Sequence, residues 1–320
     1  MMNNNSLKEI ACVVKKANSI ALFTHMSPDC DALGSVYGLY YSLKQLKKDV
    51  TIFTKDNYTA VEKILFDEAL SNKEACDYDK YDLFISCDTP TFNMLGEYSD
   101  VFHQKENRIM LDHHQKTMEI GKYNYIDSTR SSCCEIVFDL LKVLKVQITP
   151  QIASGLYVGL SSDTNSFVNS NTTQNSFNTA KELIELGADI GKLNETLYSM
   201  RTRKSLVFKK YLWNNFKIKG DCAYCLMPYK ELMKLEGEKS DCVGFSHSLV
   251  TIQGINYGFS IIEFPQGFYQ ISLRSKIGYD VRKVAEKIGG GGHTCASGAR
   301  FYAKNMTEAK NKVLNAIKEY

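Results

Sequence analysis

Four separate places in this sequence carry aspartates and histidines, residue types whose side chains bind metal ions. These residues are His25, Asp29, Asp31, Asp88, Asp112, His113, His114 and Asp163. Mixed imidazole and carboxylate ligands suit Mn²⁺, with Mg²⁺, Co²⁺ or Fe²⁺ as alternatives, whereas a structural zinc site usually includes cysteine. Placing so many ionisable groups together costs free energy unless a cation neutralises them. The set carries enough carboxylate for two divalent ions, and two ions about 3.5–4 Å apart are a common device for cleaving phosphoesters.

Some of these residues also have an ordinary structural interpretation when they are taken alone. Asp31 is a good residue to begin a helix, and Asp29 can form a turn after Pro28. The strands change this assessment, because Asp88 directly follows one apolar run and the 112–114 triplet directly follows another. The carboxyl ends of parallel strands meet at one edge of a sheet, where ligands bind. We therefore expect one shared site rather than isolated caps and turns.

The first 190 or so residues alternate short apolar runs with longer segments of helical periodicity. The pattern predicts strands over residues 19–25, 50–54, 83–88, 108–112 and 123–126. It predicts helices over residues 32–46, 132–144, 150–161 and 174–186. Apolar strands that alternate with helices are typical of a parallel sheet covered on both faces. We therefore predict an α/β domain with its functional crevice beyond the carboxyl ends of the strands.

The chain changes character after this domain. A mixed and partly charged stretch, in which Gly, Pro and Ser are not concentrated, predicts a helical connector rather than a flexible linker. Beyond it we predict a smaller α+β domain with strands over 222–227, 256–263 and 269–275 and helices over 280–288 and 307–318. The predicted organisation is an N-terminal domain over residues 1–190, a connector over 191–212 and a C-terminal domain over 213–320, with a cleft between the two domains.

A glycine-rich run near the C-terminus suggests a second kind of site. Gly290, Gly291 and Gly292 have no Cβ, so an anion can come close to their backbone N–H groups. His293 follows them and adds a further donor. Arg274, on a predicted strand, can bind a phosphate through two parallel hydrogen bonds. These five residues form a candidate substrate-binding set in the second domain.

Composition excludes several classes of protein. With 44% hydrophobic and 23% charged residues, the chain is neither disordered nor collagen-like. Its apolar stretches are shorter than the roughly 18 residues that span a bilayer, so we expect no membrane partner. No secretory signal is visible and the 10 cysteines are scattered, which favours the cytoplasm. A net charge of +3 is too small to indicate a long polyanion, so a nucleic-acid partner is expected to be short.

The order of these motifs resembles that of the DHH phosphoesterase superfamily. Its four motifs correspond in turn to His-x-x-Pro-Asp-x-Asp at 25–31, Asp88, Asp112-His113-His114 and Asp163-Thr164. The run at 289–293 with Gly298, together with Ser272-Leu273-Arg274-Ser275, is similar to the signature of the DHH-associated domain. One departure is Asn165, which stands where the family commonly has glycine. The resemblance covers nearly the whole chain, and its size and domain order are similar to those of the bacterial nano-RNases.

The resemblance implies a role for each candidate residue. Two divalent cations would be bound. His25 and Asp29 would hold one of them, and Asp31, His113 and Asp163 would hold the other. Asp88 would bridge the two. His114 would face the scissile phosphate, and Asp112 would orient a ligand histidine. The substrate would be bound by His114, Arg274, Gly290, Gly291, Gly292 and His293. The proton for the departing 3′-oxygen would come from solvent or from His114.

The implied activity is Mn²⁺-dependent hydrolysis of short oligonucleotides, such as nanoRNA and dinucleotides, to nucleoside 5′-monophosphates, and of pAp to AMP. The partners would be short RNA or DNA oligonucleotides and pAp, and the chain would form a homodimer. Alternatives are a cyclic or linear dinucleotide phosphodiesterase, a RecJ-type single-strand exonuclease, and a cyclic-dinucleotide sensor that binds without hydrolysis. A pyrophosphatase or polyphosphatase is disfavoured, because those relatives lack the glycine-rich histidine signature.

Overall fold

The structure is a computed structural model that describes residues 4–54, 58, 60–66, 77–115, 117–199, 203–235 and 244–320. The chain divides into two compact units, Met1–Met200 and Arg201–Tyr320. The first contains a five-stranded sheet and the second a six-stranded sheet, each with its own hydrophobic core. The predicted fold class, a parallel-sheet α/β domain followed by a smaller α+β domain, is confirmed.

The N-terminal sheet is parallel throughout, with strand order β2-β1-β3-β4-β5. Its strands are β1 (Ser19–Phe23), β2 (Asp49–Phe53), β3 (Leu83–Cys87), β4 (Arg108–Asp112) and β5 (Tyr123–Ile126). The three central strands are almost wholly buried, which is why their sequences are mostly apolar. The strands β1 and β3 end slightly earlier than predicted, so His25 and Asp88 lie just beyond them.

Helices cover this sheet on both faces. They are α1 (Leu7–Lys16), α2 (Cys30–Gln45), α3 (Ala60–Leu65), α4 (Ser99–Gln104), α5 (Cys133–Leu144), α6 (Pro150–Asp163), α7 (Gln174–Glu185) and α8 (Ile190–Asn194). Short 3-10 turns lie at Tyr78–Lys80 and Phe92–Tyr98, and a π-helical turn lies at Glu195–Ser199. Alternate residues of β1 belong to different cores, with Ile20 in an aliphatic core and Phe23 in an aromatic one. The sheet is therefore buried on both faces.

Close packing of α2 against α6 brings the end of α6 beside the start of α2. A Cβ at Gly34 would lie 2.5 Å from the Gly155 carbonyl oxygen. A Cβ at Gly159 would lie 2.3 Å from Cys134 Sγ and 3.0 Å from an Asp31 carboxylate oxygen. The distances of 2.5 Å and 2.3 Å are too short for a real Cβ, so glycine permits this approach. Asp31 on α2 and Asp163 on α6 are consequently neighbours.

The C-terminal sheet has the strand order β10-β11-β9-β8-β7-β6 and pairs antiparallel except at β7–β8. Its strands are β6 (Lys217–Lys219), β7 (Cys222–Met227), β8 (Tyr257–Phe264), β9 (Phe268–Ser275), β10 (Gly291–His293) and β11 (Ala296–Tyr302). The helices are α9 (Arg203–Asn215), α10 (Tyr229–Lys234), α11 (Phe245–Val250), α12 (Val281–Lys287) and α13 (Met306–Ile317), with a 3-10 turn at Pro265–Gly267. The sequence pattern does not predict five of these elements, which are β6, β10, β11, α10 and α11.

The stretch predicted as a connector contains most of α8, the π-helical turn and most of α9. Residues 200–202 of that stretch lie outside the described residues. Within the described ranges, no helix has both the length and the apolar character needed to cross a membrane.

Candidate metal centre

The eight candidate residues of the N-terminal unit lie together at the carboxyl-end edge of its sheet. His25 follows β1, Asp88 follows β3, and the 112–114 triplet stands at the end of β4. Asp29 and Asp31 come from the start of α2, and Asp163 from the end of α6. The topology therefore explains how residues 138 positions apart in sequence, His25 and Asp163, share one site.

One group of potential ligands consists of His25, Asp29 and Asp88, whose nearest ligand atoms all lie within 4.8 Å of one another. His25 Nε2 is 3.8 Å from Asp88 Oδ2. Asp29 is the N-cap of α2, and its Oδ1 accepts hydrogen bonds from the N–H groups of Asp31 and Ala32. The cap therefore fixes the direction of the Asp29 carboxylate.

A second group consists of Asp31, His113 and Asp163, again within 4.8 Å of one another. His113 Nε2 lies 3.7 Å from Asp31 Oδ2 and 3.4 Å from Asp163 Oδ2. Burial alone would lower the pKa of His113. The neighbouring carboxylates, Asp88 first among them, outweigh burial and raise its pKa well above the ordinary value. This position therefore carries a strongly negative potential.

Asp88 stands between the two groups. Its Oδ2 faces His25, whereas its Oδ1 lies 3.4 Å from His113 Nε2. Only 3% of Asp88 is exposed, and Oδ1 accepts no hydrogen bond from the described residues. Burial raises the pKa of this carboxyl well above its usual range. A buried carboxylate oxygen without a donor is suited to a cation, and the residues of both groups fit a pair of divalent cations that share Asp88.

The backbone of Asp88 is also unusual, with a φ of 55°. Few residues other than glycine adopt this left-handed conformation, and aspartate is among those that tolerate it best. The conformation turns the chain directly after β3 and leads the Asp88 side chain into the site. Such strain is characteristic of functional positions.

Asp31 is held by the first turn of α5. Its Oδ2 accepts the N–H of Cys133 at 2.6 Å, and its Oδ1 accepts the N–H of Cys134 at 2.9 Å. The positive end of the helix dipole thus faces the carboxylate. Burial is nevertheless the larger effect and raises the pKa of Asp31. The sequence pattern did not reveal this contact, because it joins segments about a hundred residues apart.

His113 is oriented by the backbone of Arg130. The distance from His113 Nδ1 to the Arg130 carbonyl oxygen is 3.3 Å. Because a carbonyl oxygen only accepts, Nδ1 donates in this contact, and Nε2 is the ring nitrogen that faces the carboxylates. Nε2 is therefore the atom that could bind a cation once the cation displaces its proton.

His114 points to the same site from a different direction. Its Nδ1 lies 2.8 Å from Asp112 Oδ1, and Thr117 Oγ1 donates to Asp112 Oδ2 at 2.6 Å. Burial of Asp112 would raise its pKa, but the hydrogen bond and charge of His114 lower it. Asp112 therefore stays ionised and fixes the His114 ring through Nδ1.

The segment after Asp163 has three successive residues with positive φ, Asn165, Ser166 and Phe167. This explains why the position of Asn165 is suited to glycine, and asparagine is a residue that tolerates the conformation. The Asp163 carbonyl oxygen accepts from the side chains of Asn169 and Asn171. Sequence reasoning missed both asparagines, although their density after Asp163 was a visible signal.

The candidate substrate residues of the C-terminal unit lie on neighbouring strands. Arg274 on β9 is directly opposite Ala296 of β11, and β10 pairs with the same β11. A Cβ at Gly290 would lie 2.0 Å from the Gly298 carbonyl oxygen, so sheet packing alone requires glycine there. Nothing lies within 4 Å of a Cβ built at Gly291, so sheet packing does not require glycine there.

Gly292 and His293 continue the glycine-rich run, and His247 lies near Arg274. Gly292 has a φ of 137°, which favours glycine, and His293 is partly exposed at the end of β10. His247, which carries no sequence motif, is half-buried, and its pKa is lowered by burial and then by the positive charge of Arg274. His247 therefore belongs to the surroundings of Arg274, which sequence reasoning did not indicate.

Comparison with known families identifies both units. Residues 19–160 match the DHH family, N-terminal domain, and residues 234–320 match the DHHA1 domain. The first match contains every candidate ligand except Asp163, and the second contains Arg274 and the glycine-rich run.

Similar proteins match over nearly the full length. The bifunctional oligoribonuclease and PAP phosphatase NrnA of Mycoplasma genitalium is 29% identical, and the match covers 99% of each chain. The protein of the same name from Thermus thermophilus is 26% identical, over 98% of this chain and 94% of its own. A crystal structure of an exopolyphosphatase-related protein from Bacteroides fragilis has a TM-score of 0.87 at 25% identity, covering 98% of this chain and 96% of that one.

Proposed function

Because this chain is a DHH-family phosphoesterase that joins a DHH domain to a DHHA1 domain, we propose that it hydrolyses short oligonucleotides to nucleoside 5′-monophosphates and pAp to AMP and phosphate. The full-length relatives named oligoribonuclease and PAP phosphatase support this substrate class. The observation on which the proposal depends is the position of Asp88 between two groups of ligands.

The proposed centre holds two divalent cations. His25, Asp29 and Asp88 would bind one, and Asp31, His113, Asp163 and Asp88 would bind the other. When bound, two such cations make a coordinated water acidic and neutralise charge on the phosphate. We propose Mn²⁺, because the donors are imidazoles and carboxylates without cysteine, with Mg²⁺ and Co²⁺ as alternatives.

His114 and Asp112 act on the substrate side of this centre. The Asp112 carboxylate accepts from Nδ1 and fixes the His114 ring, so that the protonated ring can donate a hydrogen bond from Nε2 to a phosphate oxygen. Such a fixed donor stabilises charge that develops in the transition state without having to reorient. His114 Nε2 or solvent supplies the proton for the departing oxygen.

We propose that the C-terminal unit binds the substrate beyond the scissile bond. Arg274 can form two parallel hydrogen bonds to one phosphate, with the backbone of Gly291 and the ring of His293 as further donors. Gly290 and Gly292 serve mainly by allowing the backbone of β10 to approach β11. A site that binds one terminal phosphate of the substrate favours substrates of a few nucleotides.

The test is a comparison of four substrates with Mn²⁺: pAp, a linear dinucleotide, a cyclic dinucleotide and a long single strand. We expect AMP from pAp and mononucleotides from the linear dinucleotide, with little product from the long strand. A chelator should abolish all activity, and added Mn²⁺ should restore it. Chromatography of the products measures each reaction.

The other outcomes of this comparison distinguish the alternatives. Efficient degradation of the long strand would indicate a RecJ-type exonuclease. Preferential cleavage of the cyclic dinucleotide would indicate a phosphodiesterase for that messenger. Recovery of every substrate unchanged, with one of them bound, would indicate a sensor and would contradict the proposal.

We further propose that the chain acts in the cytoplasm, because all eight cysteines in the described part of the chain are free thiols. Most of them are buried, where a thiol behaves as a small apolar group.

We also propose a homodimer. An exposed apolar surface of the N-terminal unit contains Phe177 and Ile184, which line a cavity of about 410 Å³. Two large exposed apolar side chains beside an open cavity suit contact with a second copy of this chain. We expect Phe177→Glu to convert a dimer into a monomer in sedimentation velocity, whereas Lys145→Glu on the same unit should leave the dimer intact. A wild-type monomer would refute the proposal.

A further inference from the structure

The side chain of Asn171 joins two segments that each carry part of the metal centre. Its Nδ2 donates to the Ser131 carbonyl oxygen at 3.2 Å and to the Asp163 carbonyl oxygen at 3.3 Å. Both partners only accept, so the amide nitrogen must face them. Asn171 Oδ1 is buried and accepts no hydrogen bond from the described residues. The two donated bonds therefore define the orientation of this side chain.

Ser131 strengthens the connection from the other side. Its Oγ donates to the Asn171 carbonyl oxygen at 2.6 Å, and its N–H donates to Glu135 Oε1 at 3.3 Å. Ser131 is fully buried, and Ser176 Oγ lies 2.5 Å from its hydroxyl. Ser131 and Asn171 thus bind each other reciprocally, and α5 and α7 hold the pair in place.

Each end of this connection leads directly to proposed ligands. At one end, Asp163 itself contributes its carboxylate. At the other, the residue before Ser131 orients His113 through its carbonyl oxygen, and the two residues after Ser132 hold Asp31 through their N–H groups. The separation of the two segments therefore sets the separation of the Asp31, His113 and Asp163 side chains.

We propose that Asn171 is a positioning residue for one of the two cations, the one bound by Asp31, His113 and Asp163. This inference rests on the proposed function, since it requires that two cations bind. The other group consists of His25, Asp29 and Asp88, which lie at the ends of β1 and β3 and at the start of α2. Within the described part of the chain, the side chain of Asn171 forms no hydrogen bond to these segments. Loss of the Asn171 donor should therefore weaken one cation selectively.

The experiment is a titration of metal-free protein with Mn²⁺, in which electron paramagnetic resonance and calorimetry measure the number of bound ions and their affinities. We expect the wild-type chain to bind two ions. Asn171→Ala should bind one ion with unchanged affinity and the other about 10- to 100-fold more weakly, the usual effect of removing a residue behind a metal ligand. The Mn²⁺ concentration for half-maximal activity should rise by the same factor, while kcat at saturating Mn²⁺ should change much less.

Two further variants keep this test decisive. Asn171→Leu has nearly the same shape and lacks the donor, so it should reproduce the selective loss even if the alanine variant does not fold. Asn169→Ala removes a bond to the Asp163 carbonyl oxygen but leaves the connection to Ser131, so it should weaken binding less. Equal weakening of both ions, or no weakening in either Asn171 variant, would overturn the inference. A wild-type chain that binds fewer than two ions would instead overturn the proposed function.

Discussion

Asp88→Asn is expected to lower turnover about 10³-fold or more on every substrate. Asp88 faces both groups of ligands, so its replacement weakens both cations at once. The expected size follows because metal catalysis contributes several kcal/mol and about 1.4 kcal/mol corresponds to a factor of ten in rate. Single-turnover kinetics with saturating Mn²⁺ measure the loss.

The same substitution is expected to stabilise the metal-free protein. Burial raises the pKa of Asp88, which means that its charged form is unfavourable in the folded state and favours unfolding at neutral pH. Asparagine removes this charge and still tolerates the positive φ of the position. The melting temperature should rise by about 2–4 °C for each kcal/mol relieved. Differential scanning calorimetry with a chelator present measures it.

Asp100→Asn is the matched control, because it removes the same charge from an exposed position on α4 of the same unit. It should leave turnover unchanged and should not raise the melting temperature, because an acid in the first turn of a helix is stabilising. An Asp88→Asn enzyme that retains its rate, or that melts well below the wild-type chain without metal, would contradict the placement of Asp88 as a shared ligand.

The second large effect is expected from Arg274→Ala. A hydrogen-bonded charge pair contributes about 1.5–3 kcal/mol, so loss of the guanidinium should raise KM for pAp and dinucleotides about 10- to 100-fold. Arg274 lies in the unit that carries the glycine-rich run, whereas every proposed metal ligand lies in the other unit. The variant should therefore still bind two Mn²⁺ ions, as measured by elemental analysis, and keep kcat within a few-fold.

Arg300→Ala provides the control for Arg274. It removes the same charge from β11 of the same sheet, at an exposed position opposite Gln270. We expect no change in KM for this variant. A similar rise in KM for both variants would mean that general positive charge, and not a specific phosphate contact at Arg274, binds the substrate.

Much of the fold was predictable because the N-terminal strands are buried on both faces. Central strands such as β3 are then mostly apolar, and their alternation with helices indicates a parallel sheet. The short elements of the C-terminal unit were not predictable in this way. The glycine-rich β10 has no side chains that indicate a strand, and its pairing with β11 comes from tertiary contacts.

The site was predictable in its residue types but not in its supporting contacts. Asp29 and Asp31 are two positions apart and carry the same local signal for a helix start, yet the structure uses Asp29 as the cap and binds Asp31 to the start of α5. The carbonyl oxygen that orients His113 belongs to Arg130, and every residue has such an oxygen. Backbone partners from distant segments leave no pattern in a sequence.

Both edges of the C-terminal sheet are unusually short, since β6 and β10 have three residues each. Long unpaired edges recruit strands from other molecules, which leads to aggregation. Here Lys217 and Lys219 place charge on one edge, and the other is mostly glycine, a poor template for a further strand. Neither edge of the sheet is thus a good template for fibril-like pairing between chains.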